Sequence, residues 1–189
     1  MDAHAENTIP MSDMFTVVGS MTTAEAYMLK EFMVESGSGP KLVTTGLIDP
    51  FNCKWGEEPC RYLGVIYDAP RIDIARQLPP PLGKRVQESL RPKLLVAGLS
   101  NRIEACFDRQ GELCGAVSTF SIFHPMNSLD ALEQLCSWLN RDESSHVLRM
   151  HLGASSVGGG YMTIKKKVLQ ELRIPKTLLF EKEGRPHAV

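Results

Sequence analysis

Lys93-Leu94-Leu95-Val96-Ala97-Gly98-Leu99, then Ile103-Glu104-Ala105-Cys106-Phe107, the turn Asp108-Arg109-Gln110-Gly111 and the run from Leu113 to Phe123 decide the fold. The first run is apolar throughout, the second alternates as a half-buried strand does, and Gly111 stands where a tight turn needs positive φ. The long third run also alternates, loosely. Three strands joined by short turns predict an antiparallel hairpin or meander. Downstream, Asn127 or Ser128 caps a helix on which Leu129, Leu132, Leu135, Cys136 and Leu139 recur at helical spacing, with Asn140-Arg141-Asp142 ending it. The segment from Ser145 to Leu152 reads equally as strand or helix. The expected class is α+β, a mixed or antiparallel sheet with flanking helices.

Working outward, Thr22-Thr23-Ala24-Glu25 is a capping box, and its helix should run to about Glu35, burying Ala24, Tyr27, Met28 and Phe32. Short strands are expected at Leu42 to Thr45 and at Tyr62 to Tyr67. The run Leu78-Pro79-Pro80-Pro81-Leu82-Gly83 reads as a surface connection, neither helix nor central strand, because proline lacks the donor and fixes φ. The expected organisation is a polar N-terminal tail over residues 1–12, one domain over 13–180 with a subdivision at the Pro-rich connection 75–92, and a C-terminal tail over 181–189.

With 189 residues the chain is long enough for a real core. No apolar run follows a basic start, and none approaches the roughly 18 residues of a membrane span, so a cytoplasmic chain without signal or membrane segment is expected. The five cysteines form no C-x-x-C pair and read as reduced, buried thiols. Net charge is −1, but residues 1–60 carry −6, residues 61–109 carry +4 and the remainder +1. The basic middle, from Arg61 to Arg109, suggests a positive face.

Catalytic constellations are missing from the sequence. The five histidines are dispersed without metal spacing, the adjacent acidic pairs point apart, and no G-x-S-x-G elbow occurs. Gly153-Ala154-Ser155-Ser156-Val157-Gly158 has P-loop glycine spacing, but Gly159 and Gly160 stand where Lys and Ser or Thr must hold phosphate and magnesium. The glycine run instead leads through Tyr161 to Lys165-Lys166-Lys167 at the start of a helix. Lysines there oppose the helix dipole, which suits a phosphate contact, with a solvated lysine face as the alternative.

In order along the chain, Arg91-Pro92-Lys93-Leu94-Leu95-Val96-Ala97-Gly98, Asp108-x-x-Gly111, Val117-Ser118-Thr119-Phe120-Ser121-Ile122, Leu139-Asn140 and Gly160-Tyr161-x-x-Ile164-x-Lys166-x-x-Leu169-x-x-Leu172-x-Ile174-Pro175 resemble the C-terminal specificity domains of restriction–modification adenine methyltransferases. Upstream, Leu42 to Pro50 is similar to that family's strand leading to G-x-[ILV]. The family's L-L-N-S element has Arg141 in place of its serine. The resemblance implies a target-recognition-like fold and sequence-specific binding of double-stranded DNA, without catalysis of its own. No N/D-P-P-Y/F loop or glycine-rich adenosine cradle is present, so S-adenosylmethionine is expected only on a partner catalytic domain or subunit. No cofactor or metal is expected on this chain. Phosphate contacts are expected from Arg61, Lys93, Arg102, Lys165 and Lys166. Gly160, in the glycine run, is expected to belong to the same DNA-binding site by permitting close approach of phosphate. Contacts near bases are expected from Ser100, Asn101 and Tyr161, with Tyr161 as a core aromatic and Asn101 as a turn residue being the structural alternatives. A protein-interaction subunit that docks on a methyltransferase or nuclease without touching DNA is the second functional reading. A small-molecule enzyme using the glycine run is a third.

Overall fold

The computed structural model describes residues 7–152 and 161–179. Its centre is the strand announced by the apolar run. Strand β10 (Lys93–Ala97) is buried at every position, because it is covered on both faces. Strands β12 (Ala105–Asp108) and β14 (Thr119–Phe123) flank it, and β2 (Thr16–Gly19) adds the outer edge, giving the antiparallel order β12-β10-β14-β2. Side chains alternate across the sheet. Leu94 and Val96 face the helical layer of α3 (Leu129–Leu139), α4 (Asp142–Leu152) and α5 (Lys166–Glu171), while Leu95 and Ala97 face Val43, Leu47, Ile48 and Cys60.

On that second face lies a smaller sheet, in which β4 (Lys41–Val43) runs parallel to β13 (Leu113–Gly115). Its other members are β9 (Arg71–Ile72) and β3 (Met33–Val34), in the order β13-β4-β9-β3, and β5 (Ile48–Asp49) and β6 (Asn52–Cys53) form a two-stranded ribbon of their own. Helices α1 (Thr23–Leu29) and α2 (Pro80–Ser89) complete this side, with Leu29, Leu82, Val86 and Cys114 in one apolar cluster. The mixed α+β class follows the expectation.

Several local expectations are corrected. The Pro-rich connection is the start of α2, since two prolines occupy its first turn, where the missing N–H would be unpaired in any case. Residues on both sides of 75–92 share both sheets and the α1–α2 cluster, so the chain does not divide there. The N-terminal segment is not a tail from Thr8 onward: β1 (Thr8–Pro10) pairs with β16 (Arg173–Pro175), and Met11 is fully buried. The expected C-terminal tail, 181–189, lies outside the described residues. The capping box at Thr22 and Glu25 forms, but α1 gives way to a 3-10 turn at Lys30, and Tyr27 and Met28 project outward rather than into the core. Residues 142–152 are helix, and the expected strand at 62–67 is a two-stranded ribbon instead.

The motif residues have architectural roles. A Cβ on Gly98 would lie 2.3 Å from the Ser118 carbonyl oxygen, so only glycine permits this approach of β10 to β14. Asp108 closes its own turn: Oδ1 accepts from the backbone N–H groups of Gly111 and Glu112 at 2.9 and 3.0 Å, and Oδ2 from Leu113 at 2.9 Å. Gly111 takes φ +73°, which favours glycine. Asn140 clamps α3 to β12, accepting from Ala105 N at 3.0 Å and donating to Ala105 O at 2.9 Å.

Candidate nucleic-acid interface

A groove of about 450 Å³ opens at the end of the central sheet. Its walls come from α1 (Thr23, Tyr27), the loop after β4 (Thr44, Thr45, Gly46), the turn before β14 (Val117) and the ribbon formed by β7 (Cys60–Tyr62) and β8 (Val65–Tyr67). The ribbon is fastened at its base. Cys60 and Tyr62 are buried, and the Tyr62 hydroxyl donates to the Ala26 carbonyl at 2.8 Å. Burial pushes the Tyr62 phenol and the Cys60 thiol up, so both are neutral around neutral pH.

The opposite wall is held by a relay of hydrogen bonds. Thr45 Oγ1 donates to the Ser118 carbonyl at 2.9 Å, Gly98 N donates to the same oxygen at 2.8 Å, and Ile164 N donates to the Gly98 carbonyl at 2.8 Å. This relay brings the segment after the glycine run to the same end of the sheet, where β11 (Leu99–Ser100) pairs with β15 (Met162–Thr163). Two residues bordering the groove, Leu63 and Ser118, have positive φ without being glycine. Such conformations cost of order 1 kcal/mol or more and gather at functional sites.

Arg61 is exposed, is the one charged residue among those lining the groove, and has no ion pair with any described residue. Tyr161 is 49 % exposed beside β15, so its core alternative is set aside. Lys165 and Lys166 are exposed, but the helix they open has six residues, too few aligned peptides for the dipole argument to add much. Gly160 lies outside the described residues. Asn101 is exposed, and its backbone carbonyl accepts from the Arg149 guanidinium.

Three expected contacts are corrected. Lys93 is fully buried and its ammonium is paired with Asp108 between the two sheets, where no phosphate reaches it. Ser100 is buried, its hydroxyl accepting from Arg102 N at 3.4 Å. Arg102 is half-buried and committed to the corner between α3 and α4, with Nη2 2.5 Å from the Asn140 carbonyl oxygen and 3.3 Å from Asp142 Oδ1.

The positive face expected of residues 61–109 does not assemble. Arg71 lies over Trp55 and donates to Gly39 O, Arg76 lies over Phe32, Arg85 pairs with Glu25 at 2.7 Å, Arg91 stacks on Phe123, and Arg109 pairs with Glu133. These cations brace remote segments against one another. Tyr27 and the outer face of the ribbon were missed in the sequence. The signal for the ribbon was present in Leu63-Gly64, a two-residue turn between short β-prone runs.

Among the described residues, no group of three or more His, Cys, Asp or Glu side chains is placed to hold a metal, and no helix is long and apolar enough to cross a membrane. No family model matches the chain, and no curated protein matches it.

Proposed function

We propose that this chain is a DNA target-recognition module of a restriction–modification adenine methyltransferase: it binds a duplex sequence and leaves methyl transfer to a partner catalytic domain or subunit. The groove at the end of the central sheet carries this reading. Its lining bears one cation, Arg61, that pairs with no described residue, beside the exposed Tyr27, and exposed Tyr161, Lys165 and Lys166 belong to the same end of the molecule. A cation without an internal partner is available to neutralise phosphate or reach a base edge, and the flanking lysines are available for backbone contacts. The resemblance in motif order supports the reading further, with Gly98, Asp108, Gly111 and Asn140 serving the backbone that carries the groove. S-adenosylmethionine belongs to the partner, and the module acts in the cytoplasm, in keeping with five free thiols.

Docking on a methyltransferase or nuclease without DNA contact is the second reading. The internal commitment of most cations favours it, as does the exposure of Met126 and Met150, at 81 % and 64 %.

The test is fluorescence anisotropy of labelled duplexes from 20 to 200 mM salt, with calorimetric titration of S-adenosylmethionine alongside. Weak DNA binding that falls steeply with salt, and a flat cofactor titration, are expected. Salt-independent binding, or none even with a cognate catalytic subunit, refutes DNA recognition. A stoichiometric cofactor isotherm refutes the division of labour.

A further inference from the structure

We propose that the β7–β8 ribbon enters the DNA major groove and that Arg61 and Ile66, opposite one another on its outer face, read a guanine and the methyl group of a neighbouring thymine. This inference rests on the DNA-recognition reading above and assigns a base-reading role within it.

The ribbon has the form such a reader needs. Its register pairs Cys60 with Tyr67, Arg61 with Ile66 and Tyr62 with Val65. Alternation turns Cys60 and Tyr62 inward, where they are 0 % and 4 % exposed, and turns Arg61 and Ile66 outward. The tip is a two-residue turn with Leu63 at φ 46° and Gly64 at φ 82°. Two successive positive φ values mark the turn whose twist matches the strands, so the ribbon ends in a stiff tip rather than a loose loop. Strands about 4.8 Å apart form a ribbon that the roughly 12 Å major groove admits.

The side chains distinguish base reading from phosphate contact. A phosphate contact needs a cation alone, whereas Ile66 beside Arg61 is 58 % exposed, and apolar surface gains nothing from a hydrated phosphate backbone. In the major groove the pair has complementary partners: guanidinium binds guanine O6 and N7 in a bidentate manner, and an aliphatic side chain covers the thymine 5-methyl group. Arg61 is available for this because no described carboxylate pairs with it, unlike Arg85, Arg102 and Arg109.

The experiment enriches random duplexes on the full-length chain at low salt and measures anisotropy on the selected sequence. It compares wild type, Arg61→Ala, Ile66→Ala and a duplex with thymine replaced by uracil. Both side chains are exposed, so unchanged circular-dichroism melting verifies the fold. The expected result is an enriched guanine beside a thymine. Arg61→Ala should lower the preference for that guanine roughly tenfold or more while binding to random duplex changes little. Uracil should weaken wild-type binding several-fold and leave Ile66→Ala unaffected. Equal loss of affinity for every sequence in Arg61→Ala makes Arg61 a phosphate contact and overturns this proposal while DNA recognition stands. Wild-type binding without sequence preference overturns it as well. Absence of any duplex binding by the wild-type chain, alone and with a cognate catalytic subunit, overturns the DNA reading and this proposal together.

Discussion

Replacing Asp108 by alanine is expected to abolish most of the stability of this fold, whereas replacing its ion-pair partner Lys93 by methionine is not. Both side chains are buried, Lys93 at 0 % and Asp108 at 3 % exposure, but their dependence on each other is unequal. Asp108 accepts from three backbone N–H groups besides the ammonium, while no other described partner of the Lys93 ammonium exists. Asp108→Ala therefore leaves a buried cation alone, a change that costs about 3–5 kcal/mol. It also orphans the buried N–H groups of Gly111 and Leu113, each costing about 1–3 kcal/mol. That total reaches the ~5–15 kcal/mol by which domains are stable at all. Lys93→Met removes one charge-assisted bond but also the desolvation of an ammonium, and the carboxylate keeps its three backbone donors. A loss of about 1–3 kcal/mol is expected there. The decisive variant is the double one: in the Asp108→Ala background, Lys93→Met removes the stranded charge and should restore stability. Urea denaturation followed by tryptophan fluorescence and far-ultraviolet circular dichroism reads all three proteins. Equal losses in the two single variants, or a double variant less stable than Asp108→Ala, would rule out the stranded ammonium as the source of the loss.

Two further outcomes are expected. Cys53 should react first with iodoacetamide, because it is the one thiol only partly buried and the neighbouring Cys106 thiol holds its pKa below the ordinary value; burial pushes Cys60, Cys114 and Cys136 up, the last to about 11. Peptide mass spectrometry against time and pH checks this, and faster labelling of Cys136 or Cys114 would contradict it. The double change of Lys165 and Lys166 to Gln should leave the melting temperature almost unchanged, since both side chains are exposed. It should weaken DNA binding for all sequences about equally and reduce the salt slope by roughly one per lost phosphate contact; unchanged binding would leave these lysines as a solvated face.

The elements legible in the sequence were those whose cause is local. The apolar run at Lys93 to Ala97 became the central strand, Asp108-x-x-Gly111 became a side-chain-closed turn, and the leucine spacing from Leu129 to Leu139 became a helix. Periodicity and turn chemistry act over a few residues, so nothing remote was needed to read them. The destinations of the charged side chains were not legible, because a cation's role depends on which distant segment meets it. Lys93 lies at the edge of an apolar run and looked available, yet a carboxylate brought opposite it by strand register encloses it. Arg85 meets Glu25 across sixty positions of sequence, and Arg61 meets no such partner among the described residues. Local pattern sufficed for the α+β class and for the elements just named, whereas the Pro-rich start of α2 and the division of Leu113 to Phe123 between two sheets, as β13 and β14, emerged only in the folded chain. Which basic residues brace the core and which one lines the groove is a matter of the fold, since ion pairing is set by proximity in space and the pattern of charges along the chain does not record it.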